Sequence, residues 1–220
     1  MINGIRFKVC GLTSRADVEC AHQCGADYLG FIFYPKSPRY LTPASYAALA
    51  KDLPPAMKVA VTVSPTPAEL TTLCEAKFDF IQVHFPNETS FIEVVGWLDY
   101  VPSKQLWLAP RLQPGRELDV AFVPLGDTFL IDTYHPTASG GTGQTGDWKA
   151  FSQLRQKYKR VTWVLAGGLN PDNIGAALHQ SGAQVVDVNS GVESSPGVKD
   201  HDKLKRFAAA MHQAQTTSPA

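Results

Sequence analysis

The feature that most constrains the fold is a pattern that recurs along nearly the whole chain. A short β-branched or aromatic run is followed by an amphipathic stretch that carries a helix start signal, and this occurs eight times. Eight units in 220 residues leave roughly 27 residues each, near the lower size limit of an eight-fold barrel. Alternating strands and helices at this spacing are typical of a parallel sheet. We therefore predict an α/β fold, an eight-stranded parallel (β/α)8 TIM barrel.

The predicted elements follow from strand propensity and from helix caps. The strands are expected at Ile5–Val9, Tyr28–Phe33, Lys58–Val63, Phe78–Val83, Gln105–Ala109, Thr128–Asp132, Val161–Leu165 and Gln184–Asn189. Helix starts are expected at Ser14, Thr42-Pro43, Thr66-Pro67, Asp147 and Asn170-Pro171, with a final helix at Asp202–Gln213 and weaker ones at Glu88–Leu98 and Glu117–Phe122. No linker divides the chain, so residues 1–220 are predicted to be a single domain with a frayed tail at about 214–220.

Charge and composition exclude several classes of partner. The 20 basic and 20 acidic side chains cancel, which argues against broad electrostatic binding to nucleic acid or to an acidic membrane. No window holds the ~18 apolar residues of a membrane helix, and the first residues do not resemble a secretory signal. A cytoplasmic location is therefore expected. The Cys and His spacings match no metal motif, so no metal site is predicted.

Polar side chains interrupt strands that should be continuously apolar in a parallel barrel. They are Lys8, Cys10, Gln82, His84, Asp132, Asp187 and Asn189, and most lie at carboxyl ends of strands. Active sites of such barrels lie at that end, so these residues predict a polar pocket there. The alternative is that they pair with one another and only stabilise the barrel mouth.

Three glycine-rich turns follow the last three strands. The first contains Gly141 and Gly143 and matches G-x-G-x-x-G, but it does not leave its strand directly and lacks the acid that a dinucleotide site requires. It is interpreted as a lid or a ligand-cradling loop. The others contain Gly167 and Gly168, and Asn189, Ser190 and Gly191. Barrels commonly hold a phosphate in the turns after strands seven and eight, so phosphate binding is predicted.

Together these segments resemble a known family, the phosphoribosylanthranilate isomerases of tryptophan biosynthesis. The matching strings are Lys8–Thr13, Gly30–Tyr40, Ile81–His84, Leu130–Thr133, Gly140–Gly143, Leu165–Pro171 and Asp187–Glu193. The resemblance implies a barrel without cofactor or metal. It also implies the Amadori rearrangement of N-(5-phosphoribosyl)anthranilate to 1-(2-carboxyphenylamino)-1-deoxyribulose 5-phosphate.

The resemblance also implies roles for individual residues. The family's catalytic cysteine falls on Cys10, its catalytic aspartate on Asp132, and its carboxylate-binding arginine on Arg39. Asp132 would act as the general acid and Cys10, as a thiolate, as the general base. Lys8, two residues before Cys10 on the same face, is the candidate cation that would lower the pKa of the thiol. Lys8, Gln82, His84 and Asp187 are expected to contact the substrate.

Two alternatives and two open points remain at this stage. A metal-dependent epimerase would use His84, Asp132 and Asp187 as ligands, and a barrel without activity would keep only the phosphate site. Phe85 stands where the family usually has Gly, so it is expected either to narrow the pocket or to stack on the anthranilate ring. The sequence is compatible with a monomer or a homodimer.

Overall fold

Eight parallel strands close into a barrel in which each strand pairs with the next one in the chain. The computed structural model describes residues 1–113, 116–132 and 147–214. The strands are β1 (Arg6–Val9), β2 (Tyr28–Ile32), β3 (Met57–Val63), β4 (Phe80–Pro86), β5 (Leu106–Arg111), β6 (Thr128–Asp132), β7 (Thr162–Ala166) and β8 (Val185–Val188). The pairing of β1 with β8 closes the barrel and aligns Lys8 with Asp187. The predicted fold class is confirmed.

Helices connect most of the strands along the outside. They are α1 (Arg15–Gln23), α2 (Pro43–Leu49), α3 (Pro67–Glu75), α4 (Phe91–Trp97), α5 (Trp148–Lys157), α6 (Ile174–Ser181) and α7 (His201–Gln213). Ser14, Thr42, Thr66 and Asp147 cap four of these helices as the sequence predicted. In the described part of the chain, no helix is both long and apolar enough to cross a bilayer.

The apolar core has two parts that alternate along the strands. Val59 and Val61 of β3 belong to a cluster inside the barrel, whereas Ala60 between them belongs to a larger cluster under the helices. This alternation is the period-2 geometry of a strand with both faces covered. The floor of the barrel interior is aromatic, since the rings of Tyr28 and Trp107 lie 5.1 Å apart, centroid to centroid.

Several predicted elements differ from the structure. The helix expected at Glu117–Phe122 is a 3-10 segment at Val120–Leu125, because Pro124 removes a backbone donor. Asn170-Pro171 does not start a helix directly: the Asn170 side chain accepts from the Asp172 and Asn173 backbone amides in a turn, and α6 begins one turn later. The final helix begins one residue earlier than predicted, at His201.

A small hairpin follows the barrel and was not predicted. Its strands are β9 (Glu193–Ser195) and β10 (Val198–Lys199), which pair antiparallel. The predicted frayed tail lies mostly outside the described residues, which end at 214.

Candidate active site

A cavity of about 350 Å³ opens at the carboxyl ends of the strands. Nine of the residues that the sequence predicted line it: Cys10, His84, Asp132, Gly167, Gly168, Asp187, Asn189, Ser190 and Gly191. His84 and Asp187 lie in the carboxyl-terminal halves of β4 and β8, and the others end or follow a strand, so the parallel arrangement brings all of them to one rim. The structure therefore brings these nine residues together around one cavity.

Cys10 and Asp132 reach the cavity from strands that are not neighbours. Cys10 directly follows β1 and is 4% exposed, whereas Asp132 ends β6 and is exposed. A thiol and a carboxyl group therefore border one space from different sides. This arrangement allows two proton transfers on a molecule bound between them.

Lys8 and Asp187 form a buried ion pair at the seam of the barrel. Lys8 Nζ lies 3.1 Å from both carboxylate oxygens of Asp187, and Lys8 is fully buried. Gly30 makes room for this lysine, because a Cβ at position 30 would come within 2.9 Å of Lys8 Cε. Asp187 lines the cavity, whereas Lys8 lies behind it.

The surroundings of Cys10 work against ionisation of its thiol. Burial raises the pKa of Cys10 above 9.0, and Asp187 adds to the rise, while Lys8 and Lys199 oppose it. For Lys8, burial lowers the pKa, but the charges of Asp187 and Cys10 outweigh burial and raise the pKa above 10.5. Lys8 therefore favours the Cys10 thiolate, as predicted, but does not by itself bring the pKa of the thiol below its ordinary value.

His84 and Gln82 lie together on β4. Their side-chain Nε2 atoms are 2.7 Å apart, and Gln82 is fully buried below the cavity. Burial lowers the pKa of His84 to about 3, and the positive charges of Lys8 and Arg111 contribute. His84 therefore presents a neutral imidazole to the cavity at neutral pH.

The turns after β7 and β8 pack tightly against each other beside the cavity. A Cβ at Gly191 would lie 1.9 Å from the Leu169 carbonyl oxygen, so only glycine fits there. Gly167 and Gly168 both have positive φ, which turns the backbone after β7. Gly141 and Gly143, predicted as further phosphate ligands, lie outside the described residues.

Arg39 is held by a carboxylate from the small hairpin. Its Nε and Nη2 donate to the two oxygens of Glu193 at 2.7 and 2.6 Å. Glu193 also accepts from Lys199 Nζ at 2.9 Å, and Lys199 donates to Asn189 Oδ1. Arg39 does not line the cavity, but its aliphatic part packs against Gly11, next to Cys10.

Comparison with known proteins identifies the family of this barrel. Residues 7–210 match the family model described as N-(5'-phosphoribosyl)anthranilate (PRA) isomerase. The chain is also 41% identical to the N-(5'-phosphoribosyl)anthranilate isomerase of Magnetococcus marinus over 216 residues, which cover 96% of this chain and 97% of that protein. The chain belongs to the phosphoribosylanthranilate isomerase family.

Solved structures of phosphoribosylanthranilate isomerases agree with this fold. The Thermotoga maritima enzyme superimposes with a TM-score of 0.80 at 32% identity, covering 95% of this chain and 99% of that one. Another phosphoribosylanthranilate isomerase was solved in complex with reduced 1-(o-carboxyphenylamino)-1-deoxyribulose 5-phosphate, with a TM-score of 0.76, 30% identity, and coverage of 95% and 99%. The chain is thus an enzyme of the isomerase class.

The isomerase barrel contains site residues that the sequence analysis missed. Arg111 ends β5 and lines the cavity, where its positive charge acts on His84. Arg111 could have been predicted in the same way as the other site residues, because it is a polar residue at the carboxyl end of a strand. Glu193 and Lys199 were missed because a buried pair between a turn and a hairpin leaves no periodic pattern.

The structure places Phe85 away from the cavity. Phe85 does not enter the pocket: it is 1% exposed and packs edge-on against Trp97 and Phe122 under the helices. Both expectations for Phe85, a narrowed pocket and stacking on the ligand, are therefore wrong. Among the described residues, no group of three or more His, Cys, Asp and Glu side chains is placed to hold a metal ion.

Proposed function

We propose that the chain catalyses the Amadori rearrangement of N-(5-phosphoribosyl)anthranilate to 1-(2-carboxyphenylamino)-1-deoxyribulose 5-phosphate in tryptophan biosynthesis. The observation that carries the proposal is that Cys10 and Asp132 border one cavity whose rim also contains two glycine-rich turns. Membership of the isomerase family supports the same reaction.

The two side chains would act in sequence on opposite sides of the sugar. Asp132, protonated, donates its proton to the ring oxygen as the bond between that oxygen and C1 breaks, which leaves an iminium ion at C1. The iminium acidifies the C–H bond at C2, and the Cys10 thiolate removes that proton. The resulting enolamine tautomerises to the ketone. Neither proton transfer requires a redox cofactor.

The two anionic groups of the substrate would occupy different parts of the rim. The phosphate would bind at Gly167, Gly168, Asn189, Ser190 and Gly191, because the two turns meet beside the cavity and glycine lets an anion approach backbone N–H groups closely. The anthranilate carboxylate would be drawn by the guanidinium groups of Arg39 and Arg111. The ribose would be positioned directly by His84 and Asp187, which line the cavity. Gln82 and Lys8 would support these two side chains from behind the cavity wall. Phosphate binding by Gly141 and Gly143 stays a prediction, because both lie outside the described residues.

The cavity is formed by one chain, so the proposal holds for a monomer and for a homodimer. A cytoplasmic location agrees with the proposed biosynthetic role, and retention of activity in a cytosolic fraction would test it.

The direct test follows the loss of phosphoribosylanthranilate fluorescence with freshly generated substrate. Cys10→Ser and Asp132→Asn keep the side-chain shape but remove the base or the acid, so each is expected to lower kcat by about 10²- to 10⁴-fold. Affinity for the phosphorylated product should persist in both variants. Cys74→Ser, at an exposed cysteine outside the cavity, is the matched control and should be fully active.

Wild-type turnover in either variant would remove its proposed proton-transfer role. A barrel that only binds phosphate would show product affinity but no turnover in the wild-type protein, and it would fail to complement a tryptophan auxotroph.

A further inference from the structure

A second cavity lies at the opposite end of the barrel from the active site. Its volume is about 400 Å³, and it is bordered by the amino-terminal ends of β1, β7 and β8 together with the end of α5. The residues that matter are Arg6, Arg155, Lys159, Arg160, Trp163 and Gln184. The proposed isomerase chemistry uses none of them.

Four cations line this basal cavity without any carboxylate. Arg6, Arg155, Lys159 and Arg160 contribute positive charge, and no Asp or Glu is among the lining residues. None of the four makes an ion pair in the described part of the chain. In a chain whose charges sum to zero, this is a local concentration of unpaired positive charge.

One donor in the cavity wall is both buried and unused. Arg155 Nε is inaccessible to solvent and has no hydrogen-bond partner in the described structure. The Arg155 guanidinium is fixed because it packs on Gly182, the residue that ends α6: a Cβ there would lie 2.6 Å from Nη2. Arg6 is also oriented, since its Nη1 donates to the Tyr28 hydroxyl at 2.7 Å. Two of the four cations are therefore held in place before any ligand arrives.

We propose that the basal cavity is a binding site for a small polyanion that carries two or more phosphate or carboxylate groups. Guanidinium groups bind such groups through paired hydrogen bonds. Trp163 is 3% exposed and its Nε1 donates to the Tyr158 carbonyl, so the wall offers no free ring for a nucleobase. The concave shape and the volume suit a compact molecule better than the flat face of an acidic protein.

The probe is pyrophosphate, and the readout must separate this site from the active site. Acetylation of individual lysines, followed by mass spectrometry, reports location because Lys159 lines the basal cavity. Pyrophosphate is expected to protect Lys159, and calorimetry is expected to show a basal site in addition to any binding at the active site.

The variant Lys159→Gln/Arg160→Gln removes two exposed cations of the site. We expect it to weaken basal pyrophosphate binding at least about ten-fold, with kcat in the absence of pyrophosphate unchanged. The control Lys51→Gln/Lys104→Gln removes the same charge from exposed positions that do not line the cavity. The control should bind as the wild type does.

Three results would overturn the proposal. They are an unprotected Lys159 at saturating pyrophosphate, equal weakening in the control variant, and protection of Lys159 by an oligoglutamate peptide but not by pyrophosphate. The last result would assign the cavity to an acidic protein segment instead. Loss of isomerase activity in Cys10→Ser tests the other end of the barrel and leaves this outcome unaffected.

Discussion

The Cys10 thiol must ionise to act as a base, yet its surroundings favour the protonated form. The thiol is buried beside the Lys8–Asp187 ion pair. Asp187 raises the pKa of Cys10, and Lys8 lowers it. Burial and the charge of Asp187 favour the protonated thiol, whereas the charges of Lys8 and Lys199 favour the thiolate. The pH dependence of Cys10 reactivity therefore measures the electrostatics of the site directly.

We predict that the rate of Cys10 alkylation by iodoacetamide rises about ten-fold per pH unit up to a midpoint, the pKa of the thiol. This midpoint should lie above 9.0, the ordinary pKa of a cysteine thiol. Asp187→Asn removes a charge that raises the pKa and leaves Lys8 unpaired, so the midpoint should move to lower pH. Peptide mass spectrometry separates Cys10 from the exposed Cys74. A midpoint that stays in place or rises in Asp187→Asn would contradict this account.

At the residue scale, sequence reasoning succeeded where a polar side chain stood against an apolar background. Cys10, His84, Asp132 and Asp187 all lie within or directly after an apolar strand, and all line the cavity. The prediction for Phe85 was wrong, although the position of His84 on the same strand indicates where Phe85 must point. His84 points inward, and alternation along a strand places the next side chain outward.

The β9–β10 hairpin is an element that connects three loops of the active-site rim. Glu193 binds Arg39 of the β2 loop, and Lys199 binds Asn189 of the β8 turn. The Gly197 carbonyl accepts a hydrogen bond from Thr13 after β1. Glu193 and Lys199 have only 4% and 0% of their side chains exposed, so this connection is buried.

We predict that Glu193→Gln raises KM for phosphoribosylanthranilate roughly ten-fold while kcat changes less, because Arg39 loses a two-pronged charged partner and its orientation. Steady-state kinetics provides the split between KM and kcat. Glu193→Asp restores the charge and should recover part of the loss.

The matched control for this prediction is Glu19→Gln, which removes an exposed carboxylate that pairs with Arg15 on α1. It should leave both constants unchanged. An equal fall in kcat with unaltered KM in Glu193→Gln would show that Glu193 acts on the chemical step rather than through Arg39.

At the element scale, local signals predicted elements well and long-range pairs could not be predicted. Thr66 and Glu69 form the capping box that starts α3, and both partners lie within four residues of sequence. Pro124 was a local signal against the helix expected after β5. By contrast, Arg39 and Glu193 are 154 positions apart, and no sequence period connects them.

The whole barrel depends on the seam between its first and last strands. The Lys8–Asp187 pair lies across this seam inside the barrel, with Lys8 fully buried and Asp187 8% exposed. Removing one partner is therefore much more costly than replacing both.

We predict that Lys8→Met lowers the free energy of unfolding by about 3–5 kcal/mol, because it leaves Asp187 buried and unpaired. The double variant Lys8→Met/Asp187→Leu should lose less than Lys8→Met alone. Chemical denaturation measures both values, and the fluorescence assay should find the double variant inactive or nearly so.

Lys58→Met serves as the control at the same scale, because Lys58 forms a 4.0 Å surface pair with Asp79. Its loss should cost less than about 1 kcal/mol. A double variant that is as destabilised as the sum of its single variants would show that Lys8 and Asp187 do not stabilise the seam together.

The pairing of β1 with β8 also has a consequence for the time at which the barrel can close during translation. Residues 8 and 187 are separated by 179 positions, and a ribosome needs roughly ten to forty seconds to add the residues between them. During that interval the first strand lacks its β8 partner, and Lys8 lacks Asp187. A nascent or truncated polypeptide that ends before the eighth strand therefore contains Cys10 and Asp132 but lacks the strand that closes the barrel, and we expect it to be inactive.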